Sequence, residues 1–134
     1  MKELQLLREI ASTQGYLALI GIEPIEAGPG SVREQLVVRN ELLQPAVVHG
    51  GAIYSLADTA AAHAVLTLVY PAEWVTTVEQ KINFLRPVKA GILVCDAKVI
   101  HLGNRIVYCE ATVMNANELI ARSTATLMRL KRDK

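Results

Sequence analysis

HGGAIYSLADTAAAHAVLTLVY, residues 49–70, sets one acid inside an otherwise neutral and mostly apolar run. Between Ala52 and Tyr70 only Asp58 and His63 ionise near neutral pH, and six of the 19 residues are alanine. The length approaches the ~20 residues that cross a bilayer. Asp58 would then sit near mid-membrane, at a cost of about 2.5–3.5 kcal/mol on insertion scales, and strand-like alternation follows the run. The pattern therefore predicts a buried helix over 50–70, ended by Pro71, in a protein with no membrane span. A helix that is apolar on every side has to be wrapped by something.

The flanking sequence supplies the wrapping. Residues 2–13 carry Leu4, Leu7, Ile10 and Ala11 at helical spacing, and GYLALIG (15–21) adds a short helical turn. Two short strands follow, joined at Gly28-Pro29-Gly30-Ser31. After the helix, residues 74–85 alternate, with Trp74, Val78, Ile82 and Phe84 expected on one face. Beyond RPVKAG (86–91) lie runs at 92–102 and 105–115 and a last strand at 118–130. The apolar faces of the middle pair, Leu93/Cys95/Ala97/Val99 and Val107/Cys109/Ala111/Val113, are all odd-numbered, so paired residues must sum to an even number. A three-residue turn at Leu102-Gly103-Asn104 satisfies this, with Gly or Asn left-handed, Cys95 opposite Ala111 and Cys109 opposite Ala97. The expected plan is α+β: helix, two strands, one long helix, then a four-stranded antiparallel meander curved around that helix.

With 134 residues, 51% hydrophobic and 20% charged, the chain is long enough for one domain, 1–134, with a real core, and it is not disordered. A net charge of +1 with mixed signs argues against a nucleic-acid binder. MKELQLLREIASTQ lacks the pattern of a secretion signal. Two cysteines without CxxC spacing suit free thiols in the reducing cytoplasm.

A lone acid in a buried helix is costly unless it is hydrogen-bonded or put to use, and desolvation favours its service as a general base. His49-Gly50-Gly51 stands where the helix begins, so free N–H groups and the helix dipole there can polarise a carbonyl. Gly50 and Asp58 are eight residues apart, about 12 Å along one helix. A base and an oxyanion donor both need to lie about 3 Å from one reacting group. Within one chain they cannot. If both act, the helix start of one copy faces Asp58 of another, which a two-fold dimer achieves twice. His63 lies about 140° around the helix from Asp58 and reads as a core or interface histidine, and His101 as an exposed hairpin residue. No HExxH, Cys/His cluster or carboxylate pair suggests a metal, and GPGS lacks a nucleotide-binding spacing.

VVHGGAIYSLADTA (47–60), with VEQKINFLRPVKAG (78–91) after it, resembles the hot-dog-fold acyl-CoA thioesterases, nearest the phenylacetate-degradation (PaaI-like) branch. The resemblance covers roughly residues 20–130. It implies a curved antiparallel sheet around a central helix, and homodimers with shared active sites, in some members a dimer of dimers. The substrate would be an acyl-CoA, with coenzyme A part of the substrate and no cofactor or metal. Carried over by residue, Asp58 would be the catalytic carboxylate, as general base or nucleophile. Gly50 would donate its N–H to the thioester oxygen, His49 would support that loop, and Gly51 would border the substrate. A water-holding Ser or Thr on the next strand corresponds to Thr77. Alternation, however, places Thr77 on the polar face with Glu79 and Lys81, so a bulge or the dimer seam has to bring it, or Thr76, inward. The family's Asn or Gln six residues before the His and Gly three before are Leu43 and Ala46 here. A loop shortened by one residue would let Gln44 supply that amide. Arg86, Lys89 and Arg105 are the candidate phosphate contacts. The competing readings are a hot-dog dehydratase or hydratase, whose His and acid share one site, and a non-catalytic acyl-thioester binding module.

Overall fold

His49 starts the helix that organises the molecule, and Tyr70-Pro71 stops it. The computed structural model describes residues 2–133. Its elements are α1 (Lys2–Ser12), α2 (Gly15–Ile20), β1 (Ile22–Gly28), β2 (Ser31–Val37), a 3-10 turn (Asn40–Leu42), α3 (Gly50–Val69), β3 (Glu73–Phe84), β4 (Ile92–Leu102), β5 (Ile106–Asn115) and β6 (Glu118–Lys131). Tyr70 is extended at φ −75° and ψ 141°, as a residue before proline prefers to be. Leu56, Ala57, Ala60, Ala64 and Val65 of α3 are fully buried. Among the described residues α3 is long and apolar enough to cross a membrane, but it packs against all six strands instead. The alanines matter here, because small side chains let a curved sheet close over the helix on several sides.

The six antiparallel strands run in the order β1-β2-β4-β5-β6-β3. This is the hot-dog fold. One part of the expected plan is overturned, since β3 to β6 do not form a meander. β3 lies on the far edge beside β6, and β4 pairs with β2. The connection 85–91 is the reason. It is too long for a tight hairpin, yet long enough to pass the three strand spacings, about 14 Å, that separate β3 from β4. It is pinned under the helix start, where Val48 N–H donates to Val88 O (2.7 Å) and Val88 is buried.

Two registers also differ from expectation. In the β4–β5 pair the even-sum rule holds through Leu93↔Asn115, Cys95↔Val113, Ala97↔Ala111 and Val99↔Cys109, and then shifts to His101↔Tyr108. The expected pairs Cys95–Ala111 and Cys109–Ala97 are therefore each displaced by two. An irregularity between Val99 and His101 absorbs a residue, so the turn lies beyond Leu102. Neither Gly103 nor Asn104 is left-handed. Gly103 serves by close approach: its N–H donates to Ile106 O at 2.9 Å, and a Cβ there would stand 2.5 Å from that oxygen. Cys95 faces Val113, four residues along β5 from Cys109, and both thiols are free and buried.

In β3 a bulge falls between Thr77 and Glu79. Val75 and Thr77 point inward before it, Gln80 and Ile82 after it, and Val78 is left outside at 56% exposure. The single face expected for Trp74, Val78, Ile82 and Phe84 is thus split by one extra residue.

Candidate active site

At the start of α3, His49 Nδ1 accepts the Gly51 N–H at 2.7 Å, and Ala52 N–H reaches back to His49 O at 3.0 Å. A histidine is an unusual N-cap, but its unprotonated ring nitrogen performs the task of a Ser or Asp oxygen. Gly51 therefore does not offer a free donor. It lacks a side chain because a Cβ would meet His49 Nδ1 at 2.9 Å. The Gly50 N–H has no partner among the described residues. It opens on a groove of about 310 Å³ bordered by Val48, Ile53, Phe84, Arg86 and Val88. A Cβ on Gly50 would come 3.2 Å from the Phe84 ring, so glycine keeps this donor accessible.

Two turns further along, Asp58 is half-buried rather than enclosed, because the sheet leaves the helix uncovered on that side. The β3 bulge turns Thr77 inward, where its hydroxyl donates to Asp58 Oδ1 at 2.7 Å. Asp58 Oδ2 has no partner among the described residues. The acid faces a second groove, of about 370 Å³, lined among others by Tyr16, Tyr54, Ser55, His63 and Trp74. Tyr16 and Ser55 share a 2.6 Å hydrogen bond at its rim. One chain thus carries an unpaired N–H at one groove and, separately, an oriented carboxylate at another.

The other candidates divide. Arg86 borders the Gly50 groove, where its guanidinium lies 3.5 Å from Glu118. Lys89 is exposed on the same connection. Arg105 is at the opposite end of the sheet. Its carbonyl accepts from Arg129, which pairs with Val75 near the start of β3, whereas Arg86 follows the end of that strand. The separation along the strand is on the order of 30 Å. Gln44 is exposed in a tight turn, its N–H donating to Val47 O at 2.7 Å, and its side chain borders neither groove. His101 is exposed, as expected.

His63 is in the core at 2% exposure, with Nδ1 hydrogen-bonded to Glu34 Oε2 on the inner face of β2. Glu34 was not singled out from sequence. Its signal is the alternation Val32, Glu34, Leu36, which places one acid on an apolar face. Burial pushes the Cys109 thiol up to about 12. Burial, and then the carboxylates of Glu34 and Asp96, push Cys95 higher still. Neither thiol is a nucleophile near neutral pH. Among the described residues no three His, Cys, Asp or Glu side chains converge as metal ligands.

A fold of this kind, with an oriented acid and a free N–H at the start of the enclosed helix, defines a class, and comparison with known proteins names it. The Thioesterase superfamily family model matches residues 46–121. A 1,4-dihydroxy-2-naphthoyl-CoA hydrolase of Listeria monocytogenes is 30% identical over 122 residues, covering 90% of this chain and 99% of the relative. Among solved structures, a thioesterase family protein from Silicibacter pomeroyi superposes with a TM-score of 0.89 at 29% identity, over 97% of this chain and 99% of the other. The PaaI protein from the phenylacetic acid degradation operon of E. coli does so with a TM-score of 0.88 at 26% identity, over 96% and 94%. The chain belongs to the thioesterase superfamily, and it is a thioester hydrolase.

Proposed function

We propose that the protein is a cytoplasmic, PaaI-like acyl-CoA thioesterase whose active site is shared by two copies of the chain. The observation that carries this reading is the Thr77–Asp58 hydrogen bond, which leaves one carboxylate oxygen free over a groove. In the proposed reaction Asp58 Oδ2 takes a proton from water as the water oxygen attacks the thioester carbon. The carbonyl oxygen becomes an oxyanion, held by the Gly50 N–H of the other copy. The carbon–sulfur bond then breaks, and coenzyme A leaves with a proton while the acid product forms. The Listeria relative's name supports coenzyme A as the thiol carrier. Direct attack by Asp58 would instead give an anhydride that water resolves, with the same products. No metal or cofactor is needed for either route.

Pairing of two copies is supported by the 12 Å argument and by the surface around β3. That strand is a sheet edge, and Val78, Phe84 and Leu85 there are 56%, 50% and 53% exposed. An open edge with apolar side chains is a surface that asks for a partner. Arg86, beside Gly50, is the best placed of the three candidate phosphate contacts. The test is thiol release from a panel of short, medium, long and aryl acyl-CoAs, using wild type and Asp58→Asn. The expected result is a fall of at least ~10²-fold in rate for the variant. Full activity in folded Asp58→Asn protein would overturn the proposed chemistry.

A further inference from the structure

The proposed hydrolysis uses Asp58 and Thr77 on one side of a groove and leaves the opposite rim without a task. There Tyr16 is 55% exposed, yet its hydroxyl is held 2.6 Å from Ser55 Oγ. The direction of that bond follows from a count of hydrogens. A serine hydroxyl has one, and Ser55 gives it to Gly51 O at 2.8 Å, since a carbonyl can only accept. Tyr16 therefore donates to Ser55 Oγ. The Tyr16 oxygen keeps a lone pair beside the groove it lines, with no further partner among the described residues. The short helix that carries it is fixed at several points. Leu17 is buried, Gly21 ends α2 in left-handed backbone at φ 96°, and the Arg39 guanidinium donates to Leu19 O and Ile20 O.

Ser55 and Asp58 are three residues apart on α3. Their side chains are neighbours on one face, about 60° apart around the helix, with Cβ atoms about 5–6 Å apart. Two acceptors, Asp58 Oδ2 and Tyr16 Oη, thus border one groove. Thr77 aims the first from β3, and Ser55 aims the second from the helix. We infer that Tyr16 is the second holder of the attacking water, accepting a hydrogen bond from it while Asp58 takes its proton. This inference rests on the thioesterase reading and on Asp58 as general base. A water that donates to both acceptors has both lone pairs free for the thioester carbon. One O–H bond breaks and its proton passes to Asp58 Oδ2 as the oxygen–carbon bond forms. The other hydrogen stays on that oxygen, bonded to Tyr16. Orientation of this kind lowers the barrier without adding to substrate binding.

Hydroxylamine as a competing nucleophile tests this. It is more reactive than water and depends less on being aimed, and its product, a hydroxamate, is counted separately from the acid. Wild type, Tyr16→Phe and Ser55→Ala are compared on the best acyl-CoA of the panel at one hydroxylamine concentration, with the enzyme-free rate subtracted. Tyr16→Phe should lower kcat for hydrolysis about five- to tenfold, with KM little changed. The ratio of hydroxamate to acid should rise by about the same factor. Ser55→Ala, which leaves the Tyr16 hydroxyl free to turn, should raise the ratio in the same direction. That ratio is set inside each working site, so neither a share of unfolded protein nor weaker substrate binding changes it. An unchanged or lower ratio in Tyr16→Phe would overturn the role of Tyr16 and leave the thioesterase reading standing. An unchanged ratio in Ser55→Ala would overturn the aiming by Ser55. Wild type that releases no thiol from any acyl-CoA would overturn the thioesterase reading, and this inference with it.

Discussion

A hydroxyl that donates to one oxygen of a carboxylate also aims the other. Thr77 does this for Asp58 at 2.7 Å, so Thr77→Val should leave the acid in place but free to rotate. We expect kcat to fall about tenfold or more with KM little changed, and Thr77→Ser to restore most of it. Equal rates for Thr77→Val and wild type would remove Thr77 from the site. At this scale the sequence was readable where a residue broke its surroundings. Asp58 stands alone in an apolar run, and Gly50 and Gly51 sit together at a helix start. Glu34 was not readable in the same way, because Arg33 and Gln35 make its neighbourhood look like ordinary surface. Gln44 was proposed from the loop before His49; in the single chain that loop closes into a turn, Gln44 N–H to Val47 O, with the Gln44 side chain exposed.

Among the elements, β3 carries a bulge that supplies one residue more than its partner needs. Removing Val78 should regularise the ladder and keep Val75, Thr77, Gln80 and Ile82 on their present face. Removing Gln80 instead would carry Lys81 inward and send Ile82 out. The expectation is that the Val78 deletion melts within a few degrees of wild type and the Gln80 deletion is severely destabilised, as followed by circular dichroism. Similar melting of the two would mean that the bulge does not set the face of Thr77. Strand limits and inward faces were legible for β4 and β5, because alternation records burial directly. The order of strands was not, because alternation does not say which neighbour a strand takes. The seven residues 85–91 could end a hairpin or cross the sheet, and only packing under α3 decides between them.

For the whole molecule, the decisive distance is the one between Gly50 and Asp58. Gly50→Pro removes the proposed donor, and Asp58→Ala removes the carboxylate. Each homodimer should be nearly inactive. Co-expressed with random pairing, about half of the dimers are mixed, and each mixed dimer holds one intact site, giving roughly a quarter of wild-type activity per chain. A tagged pull-down establishes that mixed dimers form, and no recovery despite them would refute the shared site. A helix too long to place its own donor beside its own acid has a further effect. If each site is completed only by association, as proposed, mass action governs the number of working centres. Dilution alone would then act as a reversible inhibitor, and activity per milligram would become a property of the concentration at which the protein is kept.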